Sequence, residues 1–164
     1  MKRKNYDLIL RKHGEDILDS ERYKSTKGYI QHGNVSVFEH SVSVAKCALM
    51  LNDKLKVKCN ERNLIRGALL HDYFLYDWHD KDCKENIHPN LHGFYHPGIA
   101  LKNANRDFNL NIIEQEIIKK HMWPLTVIPP LCREAWIVSL ADKYTSLLET
   151  IRIRKGKGKM YNYA

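Results

Sequence analysis

Apolar residues recur at the three-to-four-residue spacing of a helix in six separated stretches. Tyr6, Ile9, Leu10, Ile17 and Leu18 mark the first, with Gly14 its only local weakness. Ser25 to Asn34 is polar and holds two glycines, so it reads as a loop. Val37, Val44, Ala45, Ala48 and Leu51 then resume the stripe, which puts His40 in the first turns of a second helix. Asn60 is suited to cap a third, running through Leu64, Ile65, Ala68, Leu69 and Leu70 and ending near His71 and Asp72. Between Tyr73 and Phe94 the chain carries Asp77, Asp80, Asp82, Pro89 and Gly93, too polar and too broken for a long buried helix, and is read as a functional loop. Pro97 suits the first turn of a fourth helix through Ile99, Ala100, Leu101 and Ala104, with His96 at its mouth. A short helix from Ile112 to His121 precedes Pro124, Pro129 and Pro130. The last helix runs from about Arg133 to Ile151, with Trp136, Leu140, Leu147 and Leu148 on its apolar side and Asp142 at its middle.

No stretch sustains period-two alternation between turn signals, so a sheet is not required anywhere. The expected fold class is all-α. None of these helices can bury its stripe alone, which makes a compact multi-helix bundle the expected packing. A chain of 164 residues is of ordinary single-domain size. One domain is expected over 1–164, with its core at about 35–150 and a flexible basic tail at 152–164.

Composition narrows the function by exclusion. The opening residues are basic and polar, with no apolar run of the kind a secretory signal has, and no stretch approaches a membrane span. Cys47, Cys59, Cys83 and Cys132 form no Cys-x-x-Cys pair, so neither a zinc ribbon nor a redox motif is indicated, and they read as reduced thiols of a cytoplasmic protein. The formal charge of +8 admits a phosphate-bearing or nucleic-acid partner without choosing between them. Much of the excess lies in Arg152, Arg154, Lys155, Lys157 and Lys159, where the interspersed Gly156 and Gly158 read as a solvated tail rather than a binding arm.

Two His-Asp dipeptides occur. His79 and Asp80 lie in the polar loop, whereas His71 and Asp72 close the apolar run Gly67-Ala68-Leu69-Leu70, where neither belongs in an ordinary core. Taken alone, that pair reads as a capped helix end. The ordered series His40, His71 with Asp72, His96, His121 and Asp142 is different, because each member stands on or at the edge of a helix whose other face is apolar. His13, His32, His79 and His88 have no such place in the series and read as surface or loop residues.

The series resembles that of the HD-domain superfamily of metal-dependent phosphohydrolases, specifically its members with two extra histidines. The likeness spans roughly 35–150. It is carried by Phe38-Glu39-His40-Ser41, Ala68-Leu69-Leu70-His71-Asp72, Tyr95-His96-Pro97 with Ala100, Ile117-Ile118-Lys119-Lys120-His121 and Ser139-Leu140-Ala141-Asp142-Lys143.

The resemblance implies that His40, His71, Asp72 and Asp142 hold one metal ion and His96 and His121 a second, with Asp72 bridging both. A hydroxide shared by the two ions would then attack a phosphoryl group. His92 competes with His96 for the second ion, or serves as a proton donor or substrate ligand. Lys120 and Lys143 are candidates for phosphate contacts beside the plainer role of solvated lysines. The glycine and lysine that many family members carry just after His-Asp are replaced here by Tyr73-Phe74-Leu75-Tyr76, so that substrate contact has no counterpart.

A nitrogen-rich donor set without thiolate points to two divalent or transition ions, iron or manganese first, with zinc, cobalt or magnesium as further options. The substrate is expected to be a nucleotide or other small phosphorylated molecule, with nucleic acid as a lesser possibility and no membrane. Two other readings stay open: a di-iron oxygenase built on the same ligands, and a non-catalytic nucleotide-binding or nucleic-acid-binding module.

Overall fold

A computed structural model describes residues 4–77 and 92–154, the side chains of 92 and 152–154 excepted. The described residues are mostly helical. Helix α1 spans Tyr6–Asp19, and α2, Glu21–Lys24, is followed by a 3-10 turn at Ser25–Gly28. A two-stranded ribbon of β1 (Ile30–His32) and β2 (Val35–Ser36) leads into α3 (Val37–Leu55). Four further helices follow: α4 (Glu61–Leu70), α5 (His92–Asp107), α6 (Ile112–Lys120) and α7 (Arg133–Arg154).

The helix starts are set by side-chain caps. Ser36 Oγ accepts from the Glu39 backbone N–H at 3.2 Å while Glu39 Oε2 accepts from the Ser36 N–H at 3.0 Å. This capping box fixes the first turn of α3, one residue before His40. Asn60 caps α4 through the Asn63 N–H at 3.1 Å, and its own N–H donates to Glu134 Oε1 at 3.0 Å, tying the start of α4 to the start of α7. Asn111 and Glu114 form a second box at the head of α6.

Helix α4 is the hub, packed against α1, α3, α6 and α7. Leu64, Ile65, Ala68, Leu69 and Leu70 are all fully buried, so α4 is apolar around most of its circumference, as a central helix must be. Its one deeply buried cation, Arg66, lies 2.6 Å from Asp16 Oδ1 and 3.2 Å from the fully buried Glu114, which also accepts from Arg62 at 2.7 Å. A buried carboxylate held by two guanidinium groups leaves neither charge sign uncompensated.

Close approach explains two glycines. A Cβ at Gly14 of α1 would stand 2.6 Å from Leu69 Cδ1, so the residue that weakens α1 locally is the one that lets it lie against α4. A Cβ at Gly67 would meet three atoms of Ile117 at 2.5 to 2.8 Å, which draws α4 and α6 together four residues before His71.

The all-α expectation holds, with three local corrections. The Ser25–Asn34 stretch contains β1 and the turn to β2, strands of three and two residues that are too short to show alternation; the turn passes through Gly33 at φ 57°. Helix α5 starts at His92 rather than Pro97, so His96 occupies its second turn and is buried instead of standing at a helix mouth. Pro97 then lies inside the helix, where it removes the hydrogen bond to the Gly93 carbonyl and crowds that carbonyl with its ring. Finally, α7 is turned away from the expected face. Trp136, Leu140 and Leu147 are 41%, 51% and 58% exposed, while Ala135, Val138, Ala141, Asp142, Thr145 and Glu149 face inward. The small inner residues let α7 pack closely, and the rotation brings its carboxylates to the centre.

The expected His79, Asp80 and Cys83, and the basic tail from 155 onward, lie outside the described residues. Cys47, Cys59 and Cys132 are free thiols. Among the described residues no helix is long and apolar enough to cross a membrane.

Because Ile117 packs directly on Gly67, Gly67→Ala is expected to destabilise the fold by about 1–3 kcal/mol despite alanine's higher helix propensity. Urea unfolding measures this, and an unchanged midpoint would show that Ile117 moves aside at no cost.

Candidate metal centre

Two helices end in the same way. His71 is the C-cap of α4 and His121 the C-cap of α6. In each the ring Nδ1 meets the carbonyl three residues back, Ala68 O at 2.7 Å and Ile118 O at 2.8 Å. A carbonyl can only accept, so Nδ1 carries the proton in both rings. Whenever the ring is neutral, its outward nitrogen, Nε2, is therefore a bare lone pair pointing away from the helix. The two rings stand edge to face with centroids 4.9 Å apart.

His40 comes from the first turn of α3 and His96 from α5, both buried. Four imidazole Nε2 atoms thus converge on Asp72, which follows the end of α4 and is 2% exposed. The two carboxylate oxygens divide them. Oδ2 lies 3.2 Å from His71 Nε2 and 3.7 Å from His40 Nε2. Oδ1 lies 3.1 Å from His96 Nε2 and 3.4 Å from His121 Nε2. Asp142, from the middle of α7, joins the first half, with Oδ1 3.1 Å from His40 Nε2 and 3.7 Å from His71 Nε2.

These distances describe two adjoining donor clusters that share one carboxylate: His40, His71, Asp72 and Asp142, and Asp72, His96 and His121. In the second, His96 Nε2 and His121 Nε2 are only 2.9 Å apart, a distance that needs a proton or a cation between the two nitrogens. His71 Nε2 and Asp72 Oδ1 have no hydrogen bond of good geometry although both are fully buried. Buried polar atoms are otherwise almost always paired, so one orphan in each cluster, His71 Nε2 in the first and Asp72 Oδ1 in the second, fits a cation at each. The donors are nitrogen and oxygen throughout; no cysteine belongs to either cluster among the described residues.

The electrostatics agree with this geometry. Burial would hold the Asp72 carboxyl neutral, but the surrounding histidines, His71 first, keep it ionised and well below the usual carboxylate range. Asp142 is likewise pushed down, against burial, by its bonds to His40 and His71. The reverse applies to the rings. Burial disfavours their charge, yet Asp142 and Glu149 raise His40 to about 9, and Asp72 with Asp142 raises His71 well above its ordinary value. Without a metal, protons on these two rings offset the two buried carboxylates; a divalent ion can replace both. His121, beside only one oxygen of Asp72, is instead lowered by burial.

All six residues of the ordered series are therefore brought together. The side chain of His92, and residues 78–91 of the polar loop, lie outside the described residues. Lys120 is buried in the last turn of α6. Lys143 donates to His121 O at 3.0 Å and Ser139 Oγ at 2.9 Å, so its ammonium caps the end of α6. Three residues not singled out by the sequence also reach the centre. Gln31 of β1 donates Nε2–H to Asp72 Oδ2 at 2.6 Å. Glu149 meets His40 Nδ1 at 2.9 Å. His32, read as a surface residue, packs edge-on against His40 with ring centroids 5.4 Å apart. Glu149 follows Asp142 by two helical turns, a spacing that marks it for the same face. Gln31 carries no comparable signal.

A helical bundle that gathers three further histidines around a His-Asp pair at a helix end defines a class, and residues 37–147 match the HD domain family. The chain belongs to that family. It is also 31% identical over 124 residues to the dihydroneopterin 2',3'-cyclic phosphate phosphodiesterase of Methanocaldococcus jannaschii, an alignment covering 72% of this chain and 49% of the relative. The chain thus spans about half the length of that curated relative. No solved structure gives a significant match.

The raised His40 makes a signed prediction. Its folded value of about 9 exceeds the ordinary 6.5, so the protonated ring stabilises the metal-free fold fully below about pH 6.5, and that contribution is lost as pH rises through about 9. The metal-free protein is expected to melt at a lower temperature at pH 9.5 than at pH 6.5. Added Mn²⁺ should raise the melting temperature more at the upper pH, where no proton competes. A melting temperature flat across this window, with and without ion, contradicts the reading.

Proposed function

We propose that this chain is a metal-dependent phosphohydrolase that cleaves a phosphoric ester of a small molecule. The supporting observation is the division of Asp72 between two histidine pairs, with Oδ2 facing His40 and His71 and Oδ1 facing His96 and His121. His40, His71, Asp72 and Asp142 are assigned to one ion and His96, His121 and the other oxygen of Asp72 to a second. Two divalent ions held there would supply a water of lowered pKa and positive charge for the phosphoryl oxygens. Iron or manganese suits this nitrogen-rich set better than magnesium does.

The chain's own residues hold that arrangement in place. The carbonyls of Ala68 and Ile118 fix the rings of His71 and His121 in the tautomer that leaves Nε2 free. The Gln31 amide anchors one oxygen of Asp72 and so limits its rotation. Burial of the whole cluster excludes competing solvent ligands and strengthens each electrostatic contact. His92, at the head of the helix that carries His96, is proposed as a proton donor, and Lys120 and Lys143 as phosphate contacts. For Lys143 this requires exchanging its bond to the α6 carbonyl for one to substrate.

The relative supports a narrower substrate class. A protein whose name specifies a 2',3'-cyclic phosphate phosphodiesterase shares 31% identity with this chain, which favours hydrolysis of a cyclic phosphodiester over dioxygen chemistry on the same ligands. Opening such a ring needs one water and yields one monoester, with no redox partner.

Purified protein loaded with Mn²⁺ or Fe²⁺ is therefore expected to convert nucleoside or pterin 2',3'-cyclic phosphates to monoesters. Asp72→Asn should lower kcat by at least about a thousandfold with the helical circular dichroism intact, since it removes one charge shared by both clusters. Turnover unchanged by Asp72→Asn, or oxygen uptake without ester cleavage, would overturn the proposal.

A further inference from the structure

His40 differs from His71 and His121 in what holds its far side. His71 and His121 rest Nδ1 on neutral backbone carbonyls at 2.7 and 2.8 Å. His40 Nδ1 meets a carboxylate, Glu149 Oε2, at 2.9 Å. Glu149 is 2% exposed, and its second oxygen has no hydrogen-bond partner. A carboxylate is hard to bury with half its capacity unused, so its position calls for a compensating role.

The helix geometry supplies one. Asp142 and Glu149 are seven residues apart on α7, two turns along one face, and they grip opposite nitrogens of the same ring: Asp142 Oδ1 at 3.1 Å from Nε2, Glu149 Oε2 at 2.9 Å from Nδ1. We propose that Glu149 is a positioning residue, which keeps the proton of His40 on Nδ1, aims Nε2 at the ion, and by its charge makes the His40 cluster the tighter of the two. This rests on the two-ion reading of the centre. A carboxylate accepting from a ligand imidazole raises the basicity of the opposite nitrogen more than a carbonyl does, and such partners typically contribute 10- to 100-fold in metal affinity. Among the described residues the His40 cluster also has a second carboxylate in Asp142, whereas the His96 cluster has its half share of Asp72. The two ions are thus expected to bind in order, the His40 cluster filling first.

His32, His40 and Glu149 lie close enough together to be considered as a third ion site. The ring chemistry argues against it. An imidazole that gives Nε2 to one ion keeps its proton on Nδ1, and a protonated nitrogen is a donor and not a ligand.

The test combines a measurement on the unaltered protein with two variants. In the Zn²⁺-loaded wild type, ¹⁵N NMR of the histidine rings should show His40 protonated at Nδ1; a proton on Nε2 overturns the proposal whatever the variants do. Mn²⁺ titration of the wild type should resolve two sites of unequal affinity. Glu149→Gln, which keeps the shape and an accepting oxygen, should weaken the first site by about tenfold and leave the second within about twofold. Glu149→Ala should weaken the first site further. Equal affinities in wild type and Glu149→Gln reject the positioning role while leaving the two-ion reading intact. Three ions per chain reject it in favour of the third site, and no ion bound to the wild type overturns both readings.

Discussion

A single buried carboxylate governs this structure. Asp72 has almost no exposure and must stay ionised to be of use, so the fold has to surround it with positive or proton-donating groups. Four imidazoles do this, two to each oxygen, drawn from α3, the end of α4, α5 and the end of α6. The placement of the other helices follows from the need to bring these ends to one point. Helix α4 is apolar nearly all round because it delivers His71 and Asp72 to the middle of the bundle, and its close contacts through Gly67 and against Gly14 keep that delivery short.

Helix termini are economical places for such a site. The last carbonyls of α4 and α6 lack partners within their helices, and the rings of His71 and His121 take the ones at Ala68 and Ile118. One bond therefore satisfies an orphan acceptor, orients a ring and selects its tautomer. The start of α3 plays the complementary part, since the Ser36–Glu39 box fixes the first turn and His40 emerges from it against α7. Helix α7 shows what the centre demands of its neighbours. It turns Trp136, Leu140 and Leu147 outward so that Asp142 and Glu149 can face the rings, exchanging apolar burial for electrostatic complementarity.

Much of this is legible in the amino-acid order alone. His40, His71, Asp72, His96, His121 and Asp142 stand out because each interrupts or closes an apolar stripe, where a histidine or aspartate is out of place unless something holds it. The helices themselves follow from the same stripes, and Asn60 from its capping chemistry. Three things are hidden. The start of α5 is displaced from the expected position because Pro97 suits a first turn so well that nothing in the pattern marks a helical turn ahead of it. The inner face of α7 is inverted because large apolar residues mark one side and small ones the other, and only packing decides which is buried. Gln31 and His32 escape notice because the β1–β2 ribbon has no periodicity to detect and its residues reach the centre through tertiary contact alone.

The most direct test of the shared carboxylate is anomalous diffraction from crystals of the protein loaded with Mn²⁺. The account predicts two ions per chain, one bound by Oδ2 of Asp72 with His40, His71 and Asp142, the other by Oδ1 with His96 and His121. A single ion taking both oxygens of Asp72, or two ions at centres that do not share it, would contradict the account.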